Sequence, residues 1–89
     1  MRREATSIIN KLGLHARAAA KLVATATAYD CAVNLEINAK QSDAKSIMAL
    51  LMLAAGQGTE LHIVTDGSDE NEAMEAVLNL INDRFEEDQ

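Results

Sequence analysis

The chain has no proline, no tryptophan, one cysteine and two aromatic residues, Tyr29 and Phe85. Each shortage removes a class of explanation. No helix entry is fixed by a proline ring. The lone Cys31 cannot close an internal disulfide, and at the edge of an apolar run it reads as a buried structural thiol. His15 and His62 are the only histidines. No Cys/His cluster has ligand spacing, so no metal site is expected, and nothing implies another cofactor. Serine or cysteine catalysis lacks a base with an orienting partner. Basic residues are few, 8 against 14 acidic, for a net charge of −6, which argues against general nucleic-acid binding. No apolar run is long enough to span a membrane. The Met-Arg-Arg start is followed by a fairly apolar stretch, but Lys11, His15, Arg17 and Lys21 break it too often for a signal peptide. The expectation is a cytoplasmic protein that contacts neither membrane nor nucleic acid.

What is present is enough for one modest core. Eighty-nine residues, 48% of them hydrophobic, fit a single domain over 1–89 and exclude disorder. With so few aromatics, Leu, Ile, Val, Met and Ala must build the interior. Charge is unevenly spread. Ten of the 14 acidic residues lie from Glu60 onward, whereas Lys11, Arg17, Lys21 and Lys45 are four of the eight basic ones. A locally basic surface in an acidic chain points to an acidic partner, unless it is only a solvated face.

There is no internal repeat, linker or low-complexity tract. Glu4 to Ile9 reads as a first strand, with Ala5, Ser7 and Ile9 on one side and Thr6 and Ile8 on the other. Ala16 to about Ala28 is a helix whose Ala19, Leu22, Val23 and Ala26 form one stripe. From Cys31 to Ile37, Val33, Leu35 and Ile37 alternate with Asn34 and Glu36, the pattern of a half-buried antiparallel strand. A turn at Asn38–Gln41 leads to a short strand ending near Asp43. Ser46 is placed to cap a second helix from Ile47 to about Ala55, stopped by Gly56. Leu61 to Thr65 is another strand. Ser68 or Asp69 caps a long last helix with Met74, Val77, Leu78, Ile81 and Phe85 on its apolar side. The order βαββαβα with half-polar strands predicts an α+β domain, an antiparallel sheet covered on one face by helices. The second helix, Ile47-Met48-Ala49-Leu50-Leu51-Met52-Leu53, is apolar all round. One stripe suffices against a sheet. Part of Ile47, Met48, Leu51 and Met52 is therefore left over for docking, unless a loop or the first helix covers it.

The chemistry-bearing stretch is Gly13-Leu14-His15-Ala16-Arg17, ahead of strong helix formers. The first amides of a helix have no partner within it, and its dipole leaves roughly half a positive charge there. An imidazole at such an end, with a guanidinium two residues on, suits a phosphate. Histidine is also a nucleophile that forms covalent intermediates. The combined reading is a histidine that carries a phosphoryl group. The competing one is an ordinary surface or capping histidine.

That motif, together with Lys45-Ser46-Ile47-Met48, Leu53-Ala54-Ala55-Gly56-Gln57-Gly58 and the chain length, resembles the HPr family, the histidine-containing phosphocarriers of the bacterial phosphotransferase system. The resemblance runs in order along essentially the whole chain. It implies an open-faced sandwich, a four-stranded antiparallel sheet with three helices on one face. It implies that His15 is phosphorylated on Nδ1 by Enzyme I, using phosphoenolpyruvate, and passes the group to an Enzyme IIA-type protein. Arg17 would contact the phosphoryl group. Ser46 would be a regulatory serine, modified by a serine kinase and restored by a phosphorylase. Ala16, Ala20, Lys21, Lys45, Ile47, Met48 and Leu51 would form the docking surface of a monomeric carrier, which is no stand-alone enzyme. Two positions depart from the family pattern: Ala18 replaces a usual proline, and Leu12 a small polar residue. His15-Ala-Arg-Ala-Ala-Ala-Lys21 is similar to the nitrogen-related branch of the family. The reading from another functional class is a small α+β regulatory module that binds a partner or metabolite without phosphoryl transfer.

Overall fold

A computed structural model describes all residues, 1–89. Its elements are β1 (Arg2–Ser7), α1 (Ala16–Thr27), β2 (Ala32–Ile37), β3 (Lys40–Asp43), α2 (Ile47–Met52), β4 (Glu60–Asp66) and α3 (Glu70–Asn82), followed by a single tight turn at Arg84–Glu86. The four strands form one antiparallel sheet in the order β1-β4-β2-β3. The three helices pack on one of its faces, so the fold is the α+β open-faced sandwich that the sequence predicts.

Alternation decides the sheet's inner face. Val33 and Leu35 of β2 and Leu61 and Ile63 of β4 are buried against Ala18, Ala19, Leu22 and Ala26 of α1 and Ala73, Met74, Val77 and Ile81 of α3. Thr65 also points inward, where its hydroxyl donates to the Glu70 carbonyl at 3.0 Å and so avoids an unpaired buried polar group. The other face has no helix. There Arg3, Val64, Asn34 and Asp43 lie in one cross-strand row, and Ala5, His62, Glu36 and Gln41 in the next.

Three boundaries differ from the sequence reading. The first strand begins at Arg2 and ends at Ser7, because its pairing with β4 runs from Thr65 to Glu60. Of the two predicted faces, the one carrying Ile8 turns inward, and Ile9 stays exposed. The second helix ends at Met52, not near Ala55: Ala54, with φ of 50°, already turns left-handed ahead of Gly56. A tertiary contact explains this early stop, since the Ala55 carbonyl accepts the Leu14 amide at 2.8 Å. The last helix ends at Asn82. Phe85 is buried as its place in the stripe predicts, but through a turn in which Arg84, Phe85 and Glu86 all have φ between 53° and 66°.

Within α2 the faces separate cleanly. Leu50 is fully buried, whereas Met48 is 64% exposed and Ile47, Leu51 and Met52 are also exposed. Leu50→Ala should cost ~2–5 kcal/mol, the range for a truncated core leucine. Urea denaturation reads this directly, and a loss below about 1 kcal/mol would mean the site collapses to fill the cavity.

Candidate functional site

His15 is the N-cap of α1, with extended backbone (φ −81°, ψ −178°) and no side-chain cap hydrogen bond. Its carbonyl accepts the first helical bond, from Ala19 at 2.8 Å. The amides of Ala16, Arg17 and Ala18 have no backbone partner, as at any helix start. Upstream, Gly13 has φ of 68°, and a Cβ there would lie 2.6 Å from the Ala55 carbonyl oxygen. Only glycine lets the entry loop lie so close to the 54–58 turn. Leu14 is buried and anchors that loop.

The Arg17 side chain is exposed and makes no hydrogen bond or ion pair within the chain. It lines a cleft of about 380 Å³ together with Lys11, Leu12, Glu87, Asp88 and Gln89. A free guanidinium beside the open end of a helix is a place for a tetrahedral oxyanion.

The His15 ring is only 26% exposed. The cause is Glu87, whose Oε2 meets His15 Nε2. The other carboxylate oxygen accepts from Asn10 Nδ2 at 3.0 Å, and Asn10, fully buried, also donates to the Gly13 carbonyl at 2.8 Å. Burial opposes ionisation of Glu87. The hydrogen bonds from Asn10 and His15, with the charges of His15 and Arg17, outweigh it and hold the carboxyl below the usual glutamate range. The chain end is tied down by the Lys11 amide, which donates to the Gln89 carbonyl.

Sequence reasoning passed over Asn10 and Glu87. Glu87 sits in an acidic stretch that reads as solvated, and its partners lie 72 and 77 positions away. The one available signal was Phe85, an aromatic near the C-terminus with a core to reach.

The remaining candidates divide. Ala16 and Ala20 are exposed on the same helix as Arg17. Lys21 and Lys45 are half-buried and already engaged. Lys21 Nζ donates to the Phe85 carbonyl at 2.9 Å and pairs with Glu86 at 3.3 Å, and Lys45 Nζ donates to the Tyr29 carbonyl at 2.7 Å. Ser46 caps α2 as the sequence predicts, its Oγ accepting from the Ala49 amide at 3.2 Å. Asp69 occupies the N-cap of α3 without a side-chain cap bond. Its carboxylate instead accepts from the Asp30 and Cys31 amides, which holds it below the usual range. Cys31 is buried, and that burial, with Asp69 beside it, pushes the thiol up. His62 lies on the helix-free face of the sheet, opposite Glu36. No group of His, Cys, Asp and Glu is arranged to hold a metal ion, and no helix is long and apolar enough to cross a membrane.

Comparison with known proteins bears on the fold and on the family. The family model described as the PTS HPr component phosphorylation site matches residues 2–83. Phosphocarrier protein HPr of Pseudomonas aeruginosa is 57% identical over 82 residues, 91% of either chain. Its counterpart in Cupriavidus necator is 56% identical over 82 residues, 92% of either chain. Among solved structures, HPr-C-His from Thermoanaerobacter tengcongensis superposes with a TM-score of 0.95 at 38% identity, covering 100% of both chains. An HPr dimer from the same organism gives a TM-score of 0.78 at 39% identity, covering 98% of this chain and 100% of the other.

Proposed function

The chain belongs to the HPr family of the bacterial phosphotransferase system, and from that footing we propose that it carries a phosphoryl group on His15 between Enzyme I and an Enzyme IIA-type acceptor. The observation that carries this reading is the site itself. A histidine caps α1 beside unpaired amides, and Arg17, two residues on, is exposed with no partner in the chain. A phosphorylated side chain brings up to about two negative charges near neutral pH. One guanidinium and a helix end supply roughly +1.5, and the Glu87 carboxylate against the His15 ring offsets part of it. The group is thus held without being trapped, as a carrier requires. The whole of 1–89 acts as one unit in this role, as a monomer.

Incubation with Enzyme I and labelled phosphoenolpyruvate tests it. The expected product is a phosphoprotein labile in acid and stable in base. No label at all would favour the non-transferring regulatory module instead. Arg17→Ala should stay folded and slow transfer by about ten- to a thousandfold, corresponding to a lost charge-assisted contact of ~1.5–4 kcal/mol. Rapid-quench kinetics measure it, and an unchanged rate removes Arg17 from the site.

Docking is assigned to the apolar face of α2, with Ile47, Met48 and Leu51, and to the exposed Ala16 and Ala20. Lys21 and Lys45 border it, although both already hold carbonyls within the chain. Met48→Glu should weaken binding to Enzyme I in titration calorimetry with little loss of stability, since the side chain is already in water. Wild-type affinity would place the interface elsewhere.

Ser46 is proposed as a regulatory phosphorylation site, served by a serine kinase and phosphorylase. Ser46→Ala should lose ~0.5–2 kcal/mol through the missing cap and leave transfer nearly intact. Ser46→Asp should keep or slightly raise the melting temperature, because its charge suits the helix start. It should nevertheless slow phosphorylation of His15, because negative charge enters the face that meets an acidic partner. Wild-type rates in Ser46→Asp would leave the serine only a cap.

A further inference from the structure

We propose that Glu87 is a positioning residue for phosphoryl transfer: its carboxylate keeps the His15 proton on Nε2, so that Nδ1 is the nitrogen that takes and returns the phosphoryl group. This rests on His15 being the phosphoryl acceptor. The tautomer follows from which atoms have protons to give. A carboxylate only accepts hydrogen bonds, so the ring nitrogen that meets Glu87 Oε2 must be the protonated one. In a neutral imidazole the other nitrogen then carries the free electron pair. Glu87 is ionised at neutral pH, held so by the hydrogen bonds of Asn10 and His15 and by the charges of His15 and Arg17 against its burial.

The carboxylate has little freedom to do otherwise. Asn10 is fully buried and spends its amide protons on the Gly13 carbonyl and on Glu87 Oε1. The second carboxylate oxygen is thereby aimed at His15. Behind it, the buried Phe85 ring fixes the turn that delivers Glu87. Lys21 grips the Phe85 carbonyl, and the Glu87 amide donates to Arg84 at 2.9 Å. The lysine thus links the helix that carries the histidine to the segment that carries its partner.

The Nδ1 electron pair attacks phosphorus of the phosphorylated donor, and the Nδ1–P bond forms as the donor's bond to phosphorus breaks. That bonding pair leaves with the donor. The proton stays on Nε2, and the positive charge that develops on the ring faces the Glu87 carboxylate. On transfer to the acceptor, Nδ1 regains its pair. A carboxylate that orients a histidine and faces its charge in this way is a recurrent device in acyl-transfer enzymes.

Glu87→Gln is the decisive substitution. If the glutamine offers its carbonyl oxygen to Asn10, its amide group faces His15 and donates to Nε2, which moves the ring proton to Nδ1 and blocks the nucleophile. Long-range proton–nitrogen correlation spectra of the 15N-labelled chain, at a pH where His15 is neutral, report the tautomer directly. The wild type should show Nε2–H and Glu87→Gln a shift toward Nδ1–H. With phosphorylated Enzyme I as donor, kcat should fall about ten- to a hundredfold with KM changed less than about twofold. Glu87→Ala should fall between the two, its ring being free to take either tautomer. An unchanged tautomer or an unchanged kcat in Glu87→Gln overturns the assignment. A wild-type chain that shows Nε2–H yet takes no label overturns the carrier reading itself, and the two failures are thus distinct.

Discussion

His15→Ala is expected to abolish phosphoryl acceptance from Enzyme I completely while the protein stays folded. The helix does not depend on the imidazole: the ring makes no cap hydrogen bond, and α1 starts from the residue's backbone. Its one partner, Glu87, keeps its bond to Asn10 when the ring is removed. The stability cost should therefore be that of a single lost charge-assisted contact, about 1.5–3 kcal/mol. Circular dichroism and a thermal melt establish the fold, and the labelling assay reads the loss. Label persisting on a folded His15→Ala chain would move the carrier to His62, the only other histidine, on the opposite face of the sheet.

The largest loss of stability is expected from Phe85→Ala. Phe85 is fully buried and is the only phenylalanine. Truncating such a ring costs ~3–5 kcal/mol, a third or more of the stability of many domains. The damage should also reach function. Phe85 anchors the turn that carries Glu87 to His15, so any folded fraction should show a looser His15 ring and slower transfer. Chemical denaturation with matched kinetics separates the effects. A variant that loses stability but keeps wild-type transfer would show that the turn seats Glu87 without its anchor.

How legible this protein was in its sequence depends on the range of the interactions involved. The helix stripes and the alternation of Val33 and Leu35 are local periodicities that mark α1, β2 and α3, whereas β3 and α2 were placed by the turn at Asn38–Gln41 and the Ser46 cap. Ser46 was readable because a cap acts across three residues. The end of α2 was not, because the contact that stops it comes from Leu14, far back in the chain. The turn at Arg84–Glu86 was hidden for a related reason. Three successive left-handed residues without a glycine run against local preference, and contacts from distant parts of the chain, the burial of Phe85 and the grip of Lys21 among them, compensate. His15 and Arg17 stood out as residue types at a helix start. Asn10 and Glu87 look like ordinary loop and tail residues until the fold joins them.

The strand order has a consequence for synthesis. β4 pairs with both β1 and β2, yet it is the last strand to leave the ribosome. Until residue 66 has emerged, β1 has no partner, and the hairpin of β2 and β3 has only itself. An isolated two-stranded hairpin is marginally stable at best. The nascent chain therefore has no sheet to fold onto during most of its translation. Closure comes late, when β4 slots between the two waiting strands and α3 follows to cover them. The protein is made piecewise but folds as a whole, and the contact between His15 and Glu87 is completed last.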